Sequence, residues 1–222
     1  MTTRVVLTRA KETSAELATA LRSEGFDVAE CPLIRIEPID GPPLDLADYD
    51  WLILTSRAGV EELFVRLDGP LPPVAVVGPG TAAALREHGV EPAVVARRST
   101  QEGLVAELPR PPGHVLFAGA EDARDVLVRE LGADFVPLYR TVELRPEGLP
   151  DADLVVLASA SAARALAAVR SDLPCVSIGP VTSEEARRAG LTVVAEASTH
   201  DLDGLVEAVK LAASPADHSS PS

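Results

Sequence analysis

The sequence predicts an α/β fold of two similar lobes, each a parallel sheet flanked by helices, joined by a two-stranded β linker. Three observations predict it. Strand-like and helix-like segments alternate along the chain, the pattern of parallel sheets with helices on both faces. The pattern then starts over. Val115-Leu116-Phe117 repeats Val5-Val6-Leu7, and Asp153 through Ser159 repeats Asp50 through Ser56. Ser177 through Thr182 repeats Val76 through Thr81, Gly190 repeats Gly89, and Ser198-Thr199 repeats Ser99-Thr100. Two copies at a spacing of about 100 residues are too few for a solenoid and read as two related lobes. Third, Glu30-Cys31-Pro32-Leu33-Ile34-Arg35-Ile36-Glu37 is echoed by Phe135-Val136-Pro137-Leu138-Tyr139-Arg140-Thr141-Val142-Glu143. Both copies alternate as a half-buried strand does. Because each stands at the same place in its repeat, the chain is expected to leave one lobe and return across one hinge. One lobe is then residues 1–34 with 143–213, the other 39–134, the linkers 35–38 and 135–142, and 214–222 a disordered tail.

The elements follow in order. Arg4-Val5-Val6-Leu7-Thr8-Arg9 reads as a buried strand ending in a polar turn. Thr13 or Ser14 can cap the next helix, in which Leu17, Ala18, Leu21 and Arg22 recur at helical spacing and Gly25 closes the end. Phe26 through Glu30 begins a strand expected to run into the first linker. After Gly41-Pro42-Pro43, Tyr49 through Ser56 reads as a strand opening a helix from Ala58 to about Leu67. Pro73 through Thr81 is a strand, a Gly-Pro-Gly-Thr turn and a helix start, ended by Gly89. Val94-Val95-Ala96 is a short strand, and Ser99-Thr100 caps the helix carrying Leu104, Val105 and Leu108. The second repeat retraces these steps, with Gly132 closing the helix before the second linker.

Composition narrows the function. Apolar residues make up 46% of the 222 but aromatics only 3%, so Ala, Val and Leu must fill the core. A formal charge of −14 argues against general nucleic-acid or anionic-membrane binding. No apolar run reaches the roughly 18 residues of a membrane span, and the start lacks the apolar core of a signal peptide, so a cytoplasmic protein is expected; a monomer is expected separately. Cys31 and Cys175 stand alone, without CxxC spacing, and read as buried thiols rather than a disulfide or zinc site. His88, His114, His200 and His218 form no HExxH, no Ser-His-Asp pattern and no metal-ligand spacing, and read as surface histidines. No metal site is expected.

Chemistry is expected beyond the carboxyl ends of the strands, where parallel sheets bind their ligands. Those ends carry Thr8-Arg9, Thr55-Ser56-Arg57, Gly78-Pro79-Gly80-Thr81, Ala118-Gly119-Ala120, Ser159-Ala160-Ser161 and Gly179-Pro180-Val181-Thr182. Each is small and polar, and most open a helix. Amide groups left free at a helix start, with the helix dipole, attract an anion without a cationic side chain. An acidic protein can bind an acidic ligand in this way. Taken one at a time, each Ser or Thr is an N-cap worth about 0.5–2 kcal/mol; their duplication is what points to a ligand. Neither a Walker loop nor GxGxxG is present.

In order and spacing these motifs resemble the uroporphyrinogen-III synthase family over residues 4 to about 210. The likeness rests on Leu7-Thr8-Arg9, Pro32-Leu33-Ile34, Tyr49 through Ser56, Val76-Val77-Gly78 through Thr81-Ala82, Val136 through Thr141, Leu157-Ala158-Ser159, and Ile178-Gly179-Pro180 through Thr182. The resemblance implies two α/β lobes and a cofactor-free cyclisation of the linear tetrapyrrole hydroxymethylbilane to uroporphyrinogen III, with loss of water and inversion of the last ring. Its substrate is a polycarboxylate, suited to amide-lined helix starts. It implies Tyr139 as the group assisting departure of the hydroxyl, and Ser56, Thr81, Ser159 and Thr182 as carboxylate-binding residues. Thr8, Gly78, Gly80, Gly119, Ser161 and Gly179 supply neighbouring contacts, with Arg9 and Arg140 as charge partners. The implied partners are the substrate and, transiently, the preceding enzyme of the pathway. Two positions depart from the family pattern. Ala10 stands where relatives often have Pro, and Ala118-Gly119 where they often have Arg-Gly, with Arg124 the nearest replacement. The rival expectation is a non-catalytic sensor or binding module for anionic small molecules on the same fold.

Overall fold

A computed structural model describes residues 2–10 and 14–214. Thr13, His218 and the expected tail from 215 onward lie outside the described residues. In chain order the elements are β1 Arg4–Leu7, α1 Ala15–Ser23, β2 Asp27–Glu30, β3 Ile34–Pro38, β4 Leu44–Asp45, β5 Trp51–Leu54, α2 Arg57–Arg66, β6 Leu67–Asp68, β7 Val74–Val76, α3 Pro79–Glu87 and β8 Val94–Val95. They continue with α4 Gln101–Glu107, β9 Val115–Ala120, α5 Val126–Leu131, β10 Asp134–Glu143, β11 Leu154–Leu157, α6 Ala160–Val169, β12 Pro174–Ser177, α7 Pro180–Arg188, β13 Thr192–Glu196 and α8 Leu202–Ala213. The chain divides into two compact units, Met1–Arg35 with Glu143–Ser222, and Ile36–Val142.

The first unit holds a sheet in the order β13-β12-β11-β1-β2, and the second a sheet in the order β3-β10-β9-β5-β7-β8. Read from the far end, β8-β7-β5-β9-β10 repeats the first order element for element. The strands of these two five-membered orders pair in parallel, as the alternation of strand and helix predicts. Only β3 departs. Ile39 N donates to Leu138 O and Leu144 N to Leu33 O, both at 2.8 Å, an opposed order that makes β3 antiparallel to β10. A further pair, β4 with β6, was not expected from the sequence.

Each sheet buries both faces, which is why its strands read as continuous apolar runs rather than alternating ones. Within β5 the period of two still sorts the side chains. Leu52 and Leu54 pack with Leu116, Val60 and Leu85 on one face, while Ile53 joins Phe117, Leu104 and Leu127 on the other. In the first unit, Val5, Leu7, Leu154 and Val156 pack against Leu17 and Leu21 of α1 and Leu205 and Val209 of α8. No helix among the described residues is long and apolar enough to cross a membrane.

Three local expectations are corrected. The strand from Phe26 does not run into the first linker, because β2 stops at Glu30 and β3 begins at Ile34. Pro32, with no N–H to donate, sits in the break. Its counterpart Pro137 instead lies inside the unbroken β10, where the register against β9 slips. Pro137 pairs with Gly119 and Tyr139 with Ala120, leaving Leu138 as the extra residue of a bulge. Finally, Ser198-Thr199 does not cap α8. Thr100 Oγ1 accepts from Gly103 N at 3.0 Å, and in the second repeat Asp201 Oδ1 accepts from Gly204 N at 2.8 Å. Asp201 is thus the counterpart of Thr100, and Thr199 donates to Asp201 at 2.8 Å. At α1, Ser14 occupies the cap position with helical backbone angles, makes no cap bond, and its buried hydroxyl has no partner.

Candidate functional site

In the unit Ile36–Val142, the carboxyl ends of β10, β9, β5 and β7 lie side by side on one sheet edge. β5 hands over to α2 at Ser56, whose extended backbone turns its hydroxyl back over the helix start. Ser56 Oγ accepts from Gly59 N at 3.0 Å. The same oxygen shares a hydrogen bond of 2.8 Å with the phenol of Tyr139. The bulge at Leu138 sets where Tyr139 stands, beside Ala120 at the end of β9, and Glu121 N donates to Tyr139 O at 2.8 Å. The Tyr139 ring packs with Leu54, Ala118 and Leu138, leaving the residue 6% exposed. Burial pushes the phenol above the usual tyrosine range, the bond to Ser56 works against that rise, and the charge of Asp122 adds to it. Tyr139 therefore keeps its proton at neutral pH and can donate it.

Next along the same edge, Gly78 opens α3. Its φ of +83° suits glycine, and an added Cβ would stand 2.7 Å from Ser99 Oγ. Gly80 is half-buried, while Thr81 is buried and donates its hydroxyl to Val77 O at 3.2 Å, back into its own turn. Gly119 is buried on β9, where a Cβ would lie 3.1 Å from the Phe117 ring.

The other unit presents its own edge at the ends of β1, β11 and β12. Ser159 caps α6 by accepting from Ala162 N at 3.1 Å, and shares a 3.0 Å hydrogen bond with Ser161 Oγ. Thr182 is buried in the first turn of α7, and Gly179 at its start leaves no room for a Cβ beside the Cδ2–Nε2 edge of His200, whose Nε2 is buried without a hydrogen-bond partner. Thr8 is fully buried and donates its hydroxyl to Val156 O at 2.7 Å, so that proton is committed to the neighbouring strand. Arg9 stands half-buried at the end of β1.

Two expected cations turn to carboxylates. Arg140 Nε donates to Glu37 at 3.1 Å across the β3–β10 ladder, and Arg124 makes a forked pair with Glu102 at 2.5 and 3.1 Å. Arg124 is therefore held by α4 rather than offered in place of the Arg missing before Gly119.

A family model described as uroporphyrinogen-III synthase HemD matches residues 15–207. The chain belongs to the uroporphyrinogen-III synthase family. A uroporphyrinogen-III synthase of Synechococcus elongatus is 29% identical, covering 93% of this chain and 94% of its own. The porphyrin biosynthesis protein HemD of Ruminiclostridium josui is 30% identical over 92% of this chain, which spans 48% of that longer protein. Among solved structures, the uroporphyrinogen-III synthetase of Helicobacter pylori covers 95% of this chain and all (100%) of its own at a TM-score of 0.63 and 18% identity, a likeness of fold.

Within this synthase-family chain, Tyr139, Ser56, Gly119, Gly78, Gly80 and Thr81 share one sheet edge, with Arg140 next to Tyr139 on β10. Thr8, Arg9, Ser159, Ser161, Gly179 and Thr182 belong to the edge of the other sheet. Sequence reasoning missed the Gly59 amide, Ser99, Asp122, Glu37 and His200. Ser99 and His200 had a signal, since each precedes a helix cap, Thr100 or Asp201, at the same step of its repeat. That correspondence becomes visible once Asp201 is recognised as the cap.

Proposed function

We propose that the chain is a uroporphyrinogen-III synthase that closes hydroxymethylbilane to uroporphyrinogen III as a hydro-lyase, releasing water and inverting the last pyrrole ring. The observation that carries this reading is the buried phenol of Tyr139, hydrogen-bonded to Ser56 at a helix start, in a chain matched to this family over most of its length. In this reading Tyr139 gives its proton to the substrate hydroxyl as the C–O bond breaks and the bonding pair leaves on water. The pyrrole nitrogen supplies electrons to the methylene carbon left behind, forming an azafulvene-type electrophile. The substituted carbon of the last pyrrole attacks it to give a spiro intermediate. This breaks its other bond to that carbon, forming a second azafulvene, and recloses on the free carbon with that ring inverted. The proton this carbon then loses restores the Tyr139 phenol.

On the sheet edge that carries Tyr139, substrate carboxylates meet the amides left free at the start of α3, Gly78–Thr81. Holding a flexible chain so that the substituted rather than the free carbon attacks is a proximity effect. The test is to incubate purified protein with freshly generated hydroxymethylbilane, oxidise the products and separate the isomers. Predominance of the type III isomer is expected. Type I alone, the product of uncatalysed closure, from a folded protein would overturn the proposal.

A further inference from the structure

We propose that Ser56 is a positioning residue for Tyr139 and not a carboxylate ligand: its hydroxyl donates to the phenol oxygen and holds the phenolate formed when Tyr139 gives up its proton. The inference rests on the reading of Tyr139 as the proton donor and deepens it.

The two repeats supply the argument. Ser56 and Ser159 are matched caps, each extended in backbone, each accepting from the amide three residues on, Gly59 at 3.0 Å or Ala162 at 3.1 Å. Capping therefore needs no tyrosine. The two differ in what else the oxygen touches. At α6 the residue two positions on is Ser161, whose hydroxyl takes up the Ser159 hydroxyl at 3.0 Å. At α2 that position is Ala58, which has no hydroxyl, and the Ser56 hydroxyl meets Tyr139 at 2.8 Å instead.

The cap bond is compatible with donation to the phenol. One lone pair of Ser56 Oγ is taken by Gly59 N–H, which fixes the oxygen at the mouth of α2 and leaves its own O–H available to Tyr139 once the phenol proton goes to substrate. A buried phenol with Asp122 nearby is a reluctant acid, because its anion is both poorly solvated and repelled. Donation from Ser56, at the positive end of α2, opposes both effects.

The test uses a Tyr49→Phe background. The chain has only two tyrosines, so Tyr139 then titrates alone, and its phenolate absorbance is followed. Uniform 3-fluorotyrosine labelling brings the transition below alkaline unfolding. Ser56→Ala is expected to move the Tyr139 transition to higher pH, and Ser56→Thr, which keeps cap and hydroxyl, to restore it. Thr100→Ala removes the comparable cap of α4 and is expected to leave the transition in place, which separates positioning from stability. Ser56→Asn supplies a second variant that keeps a capping oxygen, should Ser56→Ala not fold. On substrate, Ser56→Ala is expected to lower kcat about fivefold to tenfold with KM little changed, and to have no further effect in a Tyr139→Phe chain. An unmoved transition in Ser56→Ala, or a rise in KM at constant kcat, would overturn the inference. The titration needs no turnover, so a protein that fails to make the type III isomer would sink the proposed function while this result still stood.

Discussion

Tyr139 is buried where a surface linker tyrosine would be exposed, and its chemistry follows from that. A phenol ordinarily near pH 10 is a weak acid, and burial makes it weaker still. It can assist departure of a hydroxyl but not force it. Tyr139→Phe is accordingly expected to slow turnover about tenfold to a hundredfold, at or below the low end for a general acid, with the isomer ratio unchanged. Single-turnover rates and product chromatography check both halves. A changed ratio would assign Tyr139 to steering the last ring instead. Nothing in the residue's immediate sequence discloses its partner, because Ser56 lies 83 positions away.

Helices here begin alike but are not used alike. Four of those described, α2, α4, α6 and α8, are capped by a side-chain oxygen accepting from the third amide, while α3 and α7 start at Gly-Pro with no side-chain cap. At the opposite end of the strands, His114 ties three elements together. Its Nδ1 meets Asp48 O at 2.9 Å, its Nε2 meets Asp134 at 3.0 Å, and its ring stacks on Tyr49 at 4.4 Å. The hydrogen bond to Asp48 O, then that to Asp134, raises the His114 pKa above the ordinary histidine value. The folded form thus binds the proton more tightly than the unfolded form. The resulting stabilisation is fully present below the unfolded pKa, around 6.5, and is lost as pH rises through the raised folded value. Thermal melts across that window should show wild type losing its advantage over His114→Asn as pH increases. A constant difference would mean that the ring contributes packing alone.

At the scale of the molecule, a charge of −14 opposes a polycarboxylate substrate, while the helix starts that would receive it act only at short range. Screening weakens the long-range repulsion first, since the Debye length falls from about 30 Å at 0.01 M salt to about 8 Å at 0.15 M. The value of kcat/KM for hydroxymethylbilane is therefore expected to rise over that range of ionic strength. A steady fall would instead show that exposed cations, not amides, draw the substrate in.

Much of this was legible beforehand where a local rule acts on neighbouring residues. Apolar runs of four to six residues between helices read as strands buried on both faces, and Gly25, Gly89, Gly132 and Gly190 closed their helices at positive φ. The repeat foretold two similar lobes, and the two sheets share one strand order because similar segments in the same succession pack in the same way. What the sequence by itself determined, then, was the fold class, the duplication and the residues at the strand ends. Tertiary structure alone decided which of those residues meet. The bulge at Leu138 that seats Tyr139, its bond to Ser56, the turn of Arg124 toward Glu102 and the commitment of Thr8 to Val156 all join residues far apart in the chain. Such contacts depend on strand register and helix placement, which no local spacing encodes.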